Sequence, residues 1–419
     1  MSNRHTLAGF QGDTWKECLA FFVIILTTLL PRNRPCGNIC SMNLTTISLI
    51  VRRTVVGFTI FLGGYLFATI AIPQIIEFVR STFPQKIIIN TSFGQLEQLE
   101  FIQQPIKTTN PEIVLNTKNG RLPSGFPNAM KVYAYKNPRF SYSAGKDAQK
   151  HALILGFTDS DLITDLKETV YKWRNQEYGG ELQIELNTRK VILNTPLEKL
   201  GSIYGRGAVT EFGSIDIAKQ LLTQFGRFDT LYEKGTPRVQ FGKVQGQRAV
   251  GAGAPSEAQF AKVDFFRNLG DIPILGPNAK QGLLQVVVTY NDRTRLGYSR
   301  VPASLAYPYI EAYFWEVNTK SYATYPIISV KTAWQAVREG KAVITSVVPK
   351  DQSAFEPYIP QEVEKILIND IYLAYYDSKN LQKHLQPIYV FDGNYTSANG
   401  SKGDVTLYVP AVQKNYIQE

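Results

Sequence analysis

Residues 54–76, TVVGFTIFLGGYLFATIAIPQII, run for twenty-three positions without a charged side chain. About twenty apolar residues rising ~1.5 Å each cross a hydrocarbon core of ~30 Å. A helix buried inside a soluble protein seldom stays uncharged for so long. Arg52 and Arg53 stand directly before the stretch, and Glu77 and Arg80 follow it. The pattern predicts one transmembrane helix over about 54–78, within an anchor region of residues 42–80. Gly57, Gly63, Gly64 and Pro73 agree with a lipid setting, where neighbouring groups satisfy freed backbone.

The segment upstream is out of character. Residues 19–30 form a short apolar run, followed by PRNRPCGNICS, with no small-residue cleavage site of signal-peptide type. Met42 then opens a conventional membrane start, so residues 1–41 are expected to be an over-extended N-terminus or a cytoplasmic tail. From Met42, the amino terminus with Arg52 and Arg53 puts about three positive charges before the helix. Glu77, Arg80 and Lys86 leave a net of one after it. That bias predicts a cytoplasmic tail and an extracytoplasmic C-terminal domain: a single-pass protein of the cell membrane. Cys18, Cys36 and Cys40 all precede the anchor, and a domain without thiols suits an oxidising exterior.

The formal charge is +10, from 45 basic and 35 acidic residues, but no run of five or six Lys and Arg occurs. A nucleic-acid protein usually clusters its cations on one face, so no nucleic-acid partner is expected. The dispersed charge suits a mildly basic surface facing lipid headgroups or an anionic wall polymer.

Beyond the anchor, residues 81–129 read as a stalk with first strands at 86–90, 98–102 and 112–116, broken by prolines. Three passes of helix followed by antiparallel meander come next. Module 130–212 has a strand at 130–136, a helix at about 143–155 closed by Gly156, and strands at 169–173, 181–186 and 190–194. Module 213–324 has a helix at 214–225 closed by Gly226 and strands at 238–244, 262–267, 283–290 and 310–317, with a glycine-rich insertion. Module 325–419 has a helix capped by Ser329 and closed by Gly340, then strands at 366–376, 387–392 and 405–410. Glycine just past each helix, with an apolar residue nearby, is C-cap chemistry. The fold class expected is α+β, richer in strand than helix.

Chemistry is sparse. His5 precedes the anchor, His151 sits in the first helix beside Ala152, and His384 reads as a surface loop residue near Lys379 and Lys383. Cys36 and Cys40 lack the partners of a zinc site. GSIYG at 201–205 puts Ser in the wrong place for a nucleophile elbow. GKVQGQRAVGAGAPSE at 242–257 lacks the G-K-[ST] ending of a phosphate loop and reads as a connection or hairpin tip. Asp159, Asp161 and Asp165 suit a solvated capping turn better than a cation site. Asp292, Arg293 and Arg295 are turn composition. No catalytic, cofactor-binding or metal-binding residue is assigned, and no cofactor is expected. In 306–317, alternation puts Tyr309, Tyr313 and Trp315 on one strand face and Ile310, Ala312 and Phe314 on the other. One row is expected in a core, the other in a domain seam or on a partner surface, and such strands could also lend an edge to another chain.

The last module, with YPIIS, AW, EGKAV, the long run ending IYLAYYD, LQPIYVFDG and the closing DVTLYVPAV, resembles the C-terminal domain of the YycH/YycI regulators. The helix-plus-meander unit is also similar to PepSY-type modules. The resemblance covers about the last ninety residues, with a looser echo over 130–230. It implies a single-pass, non-enzymatic protein whose external domain restrains a sensor histidine kinase of the envelope, with no catalytic residues to carry over. The function expected is binding of another envelope membrane protein. The alternatives are an envelope peptidase modulator or enzyme acting on peptide or cell-wall substrate, and a structural protein binding wall polymer.

Overall fold

The computed structural model describes residues 44–67, 69, 88–137, 141–164, 169–197, 209–289, 303–350 and 352–418. The three cysteines, His5, the 201–205 segment, Asp165 and the 291–297 turn lie outside them. The chain divides into two compact units, Met1–Lys86 and Ile87–Glu419.

In the first unit, helix α1 covers Leu44–Leu66, starting ten residues before the expected helix and running through Arg52 and Arg53. Nothing between Leu44 and Arg53 breaks a helix, since neither Gly nor Pro occurs there. Among the described residues no helix is long and apolar enough to cross a membrane, which says nothing about crossing by strands. Residues 68 and 70–78 of the expected span lie outside the described set.

The second unit is strand-rich α+β, with largely antiparallel sheets and few helices. Its three longer helices end where the sequence says, and two begin there; the helix expected at 214–225 starts three residues earlier, at Glu211. In α2 (Ala144–Ile154), Ala148 and Ala152 face the core at i, i+4 spacing. The chain then turns at Gly156 (φ 80°), and Phe157 N–H returns to the Ala152 carbonyl. In α3 (Glu211–Gln224), Thr210 Oγ1 accepts from Gly213 N–H at the start, and Ala218, Leu221 and Leu222 are buried. In α4 (Val330–Arg338), Ser329 caps through Thr332 N–H, and Ala333 and Val337 are buried.

An antiparallel sheet of eight strands takes β3 (Val170–Arg174), β4 (Glu181–Glu185), β5 (Val191–Asn194), β6 (Arg238–Gln245), β7 (Arg248–Gly251), β8 (Phe260–Phe265), β11 (Leu284–Thr289) and β12 (Tyr309–Ala312). Its order is β3-β4-β5-β12-β11-β8-β6-β7. Strands of the first and second modules therefore share one sheet, joined where β5 pairs β12. One face carries Leu193, Val263, Phe265, Val286 and Ile310, packed in one core with residues of α2 and α3.

A nine-stranded sheet takes β1 (Glu112–Leu115), β2 (Ala129–Tyr135), β9 (Arg267–Leu269), β10 (Ile272–Leu275), β13 (Val317–Pro326), β14 (Val343–Pro349), β15 (Lys365–Tyr376), β16 (His384–Thr396) and β17 (Lys402–Pro410). The long β15–β16 hairpin is its centre. β15 takes β1 in parallel at one end and β10 in parallel at the other. β16 takes β17 along most of its length and β2 at His384 and Leu385, while β14 closes on β17. Its core joins Val363, Ile366, Ile371, Tyr389, Phe391 and Leu407 with Ala333 and Val337 of α4.

Three expected strands differ. The runs 86–90 and 98–102 form no strand among the described residues, which hold one bridge there, Asn90 to Thr324. Residues 98–102 act instead as a cover: Phe101 meets Tyr376 and Tyr408 edge-on at 4.8 and 5.7 Å, and Tyr376 Oη donates to the Glu100 carbonyl. The aromatic strand expected at 310–317 breaks after Ala312. The chain leaves the eight-stranded sheet there and enters the nine-stranded one at Val317. The alternation serves two cores, Ile310 and Ala312 filling the first and Trp315 and Val317 the second.

Candidate functional site

The sheets meet where β8 runs through Phe266 into β9. Arg267, the first residue of β9, is 2% exposed. Its Nη1 donates to Asp377 Oδ2 at 3.0 Å, and Nη2 faces Asp229 Oδ2 at 3.5 Å. The guanidinium lies over the rings of Tyr232 (4.5 Å) and Phe314 (5.0 Å), geometry that adds cation–π attraction to the ion pairs. Tyr135 Oη donates to the other Asp377 oxygen at 2.8 Å. Burial pushes the Asp377 carboxyl up to about 6, against the pull of Arg267 and the Tyr135 hydroxyl. The void beside Arg267 and Asp377 is ≈ 10 Å³, room for about one water and no substrate. This cluster is a brace.

A second polar layer lies on the face of the eight-stranded sheet opposite α2 and α3. Glu311 pairs with Lys379 and accepts from Tyr309 Oη at 2.7 Å. Lys379 and Lys190 both lie over the Tyr313 ring, at 5.0 and 4.7 Å. Burial works upward on Glu311, but Lys379 and the tyrosine hydroxyls hold its pKa below the usual value. Asp264, fully buried, accepts from Gly282 N–H at 3.1 Å with Lys262 Nζ 3.8 Å away, and burial raises its pKa. Of the two alternatives for the second row, domain seam or partner surface, Tyr313 and Trp315 take the seam: both are buried, and Trp315 Nε1 donates to the Ser378 carbonyl. It is a seam between sheets, the outcome long apolar strands adopt when both faces find cover.

The histidines are apart. His151 packs its ring 4.5 Å from Phe225, and burial together with Arg227 lowers its pKa to about 4. His384 is not a surface loop residue: it opens β16, its Nδ1 lies 2.7 Å from Glu97 Oε2, and its ring lies 4.8 Å from Phe93. Lys379 and Lys383 made the segment look solvated, but Glu97, from far upstream in the chain, closes over it. Asp159 and Asp161 form a short helical turn in which Asp161 accepts from Thr158 N–H. Residues 242–251 form the β6–β7 hairpin, turning at Gly246 (φ 64°). Among the described residues no three metal-ligating side chains converge.

A groove of ≈ 920 Å³ lies between residues 103–113 and the C-terminal end of α4. Val337, Ile344 and Leu407 form its buried floor, and Ile106, Ile113 and Ala342 are half-buried within it. Lys107, Asn110, Arg338 and Glu339 are exposed on the rim. An apolar floor with a polar rim is the usual anatomy of a protein-binding patch. β1 borders this groove through Ile113. Glu112 N–H bonds to the carbonyl of Glu364, just before β15, and Asn116 N–H to that of Ile368 on β15. By alternation, the N–H groups of Ile113 and Leu115 point away from β15. Among the described residues β1 has no second neighbouring strand. Sequence reading found β1 but missed the groove, whose floor comes from β1, α4, β14 and β17. The usable signal was the proline pair Pro105 and Pro111, which keeps residues 106–110 from pairing as a central strand.

No protein-family model matches the chain. No curated protein matches it. A crystal structure of an uncharacterized protein from Eubacterium rectale ATCC 33656 is similar at TM-score 0.38 and 11% identity, covering 67% of this chain and 82% of that one.

Proposed function

We propose that this chain is a non-enzymatic, single-pass membrane protein whose large unit lies outside the cell and binds another envelope membrane protein. The anchor reading rests on the uncharged residues 54–76 behind Arg52 and Arg53. The binding reading rests on one observation: the open edge of β1 beside an apolar-floored groove. An extended segment of the partner adds a strand to that edge, and its alternate side chains enter the groove. The resemblance of the last module to YycH/YycI regulators makes a sensor histidine kinase the partner class to test first.

The test is photo-cross-linking from Asn110 on the groove rim, in the full chain in native membranes, with mass spectrometry of the captured species. The expected product is one envelope membrane protein, lost in Ile113→Pro, which removes an outward N–H and no ladder bond. Capture that is unchanged in Ile113→Pro, or capture of this chain and wall fragments alone, overturns the proposal.

A further inference from the structure

Between α2, the β4–β5 turn and the end of α3 lies a separate cavity of ≈ 260 Å³. Arg227, 4% exposed, reaches it with two of its donors committed: Nε to the Arg189 carbonyl at 2.8 Å and Nη1 to the Phe225 carbonyl at 3.1 Å. Among the described residues neither Arg227 nor Arg189 forms an ion pair with a carboxylate. A buried cation normally has a counter-charge, because desolvation is costly without one. The charge acting on Arg227 is instead another cation, Arg189, which with burial lowers its pKa to about 10.

Arg189 carries a second anomaly. It has φ 57°, the left-handed region, and among the described residues no other non-glycine residue has positive φ. Asn, Asp or Gly suits such a turn position; Arg there is uncommon. The Arg227 Nε bond to its carbonyl holds that backbone, and Arg189 lines the cavity opposite α2. His151 lines the same cavity and is neutral near pH 7. The acids at its walls, Asp147 and Glu185, are not paired to either arginine, and Asp147 accepts from Ser143 Oγ.

We propose that this cavity binds a small phosphate-bearing oxyanion, with Arg189 and Arg227 as its counter-charges and His151 as a neutral hydrogen-bonding wall. Guanidinium forks match phosphate oxygens bidentately, and the cavity is roomy enough for a phosphate with waters or an esterifying group. This stands independently of the β1 groove and of its partner.

The test uses the full chain in nanodiscs with carbon-13-labelled histidine, His5 and His384 serving as internal references. Inorganic phosphate and glycerol 3-phosphate are the probes, each matched with sodium chloride of equal ionic strength. Saturable movement of the His151 resonance, with a rise of its pKa from about 4 by at least one pH unit, is the expected result. The groups competing for His151 are Asp147 and Lys150 on its own helix, Arg227 at the end of α3, and Glu185 and Arg189 on the β4–β5 hairpin. Stronger binding of glycerol 3-phosphate assigns an esterified phosphate such as a polymer or lipid headgroup; stronger binding of inorganic phosphate assigns the free ion. Arg189→Asn keeps the left-handed turn, so it should fold as well as the parent and weaken binding at least tenfold. No saturation, or saturation unchanged in Arg189→Asn, overturns the proposal.

Discussion

Arg267 and Asp377 decide more at the scale of single residues than any other pair. Both are buried and they pair with each other, so removing one strands a charge. Arg267→Met should cost ~3–5 kcal/mol in denaturant unfolding, whereas pairing it with Asp377→Leu should recover much of the loss. Two buried groups also set opposite pH slopes. Asp377 has a folded pKa of about 6, above its unfolded value. Its contribution is therefore full below the unfolded value and lost as pH rises through about 6. His151 has a folded pKa of about 4, below its unfolded value. Its contribution is full above the unfolded value and lost as pH falls toward about 4. Thermal melts between pH 4 and 7 should therefore tilt in opposite directions in Asp377→Asn and in His151→Gln, each losing the slope its own group supplies.

Elements were legible where local chemistry decides them. Gly156, Gly226 and Gly340 close α2, α3 and α4, and alternation in MKVYAYK and DVTLYVP marks β2 and β17. Pairing was not legible, because β1 finds β15 some 250 residues away, and no local pattern encodes that. β9 and β10 are too short for periodicity to mark. In β8, Lys262 and Asp264 pair with each other on a buried face, and Phe355, from far along the chain, packs on neighbouring Phe260 at 4.9 Å. The groove floor escaped notice for the reason β1's partner did, since four elements distant in sequence build it. The crossing from β8 to β9 is also tight. A Cβ at Gly235 would lie 1.8 Å from the Phe266 carbonyl oxygen, so Gly235→Ala should cost ~1–3 kcal/mol, measured as a lower denaturation midpoint.

For the whole molecule, the proposed anchor makes the plainest forecast. Deleting residues 54–76 should move the chain from the carbonate-resistant membrane fraction to the soluble one, and retention at the membrane would remove the anchor reading. The nine-stranded sheet has a further consequence, for the order in which a ribosome delivers it. β1 is made early, yet β15, the strand it pairs with, is among the last parts to emerge. Through most of synthesis that early strand has both edges open, the condition that invites wrong pairing. Contacts this distant also slow folding once the chain is complete. Folding of this protein should therefore benefit from a chaperone that shelters strand edges, and a ribosome stalled before residue 365 should leave a nascent chain sensitive to protease across residues 112–115.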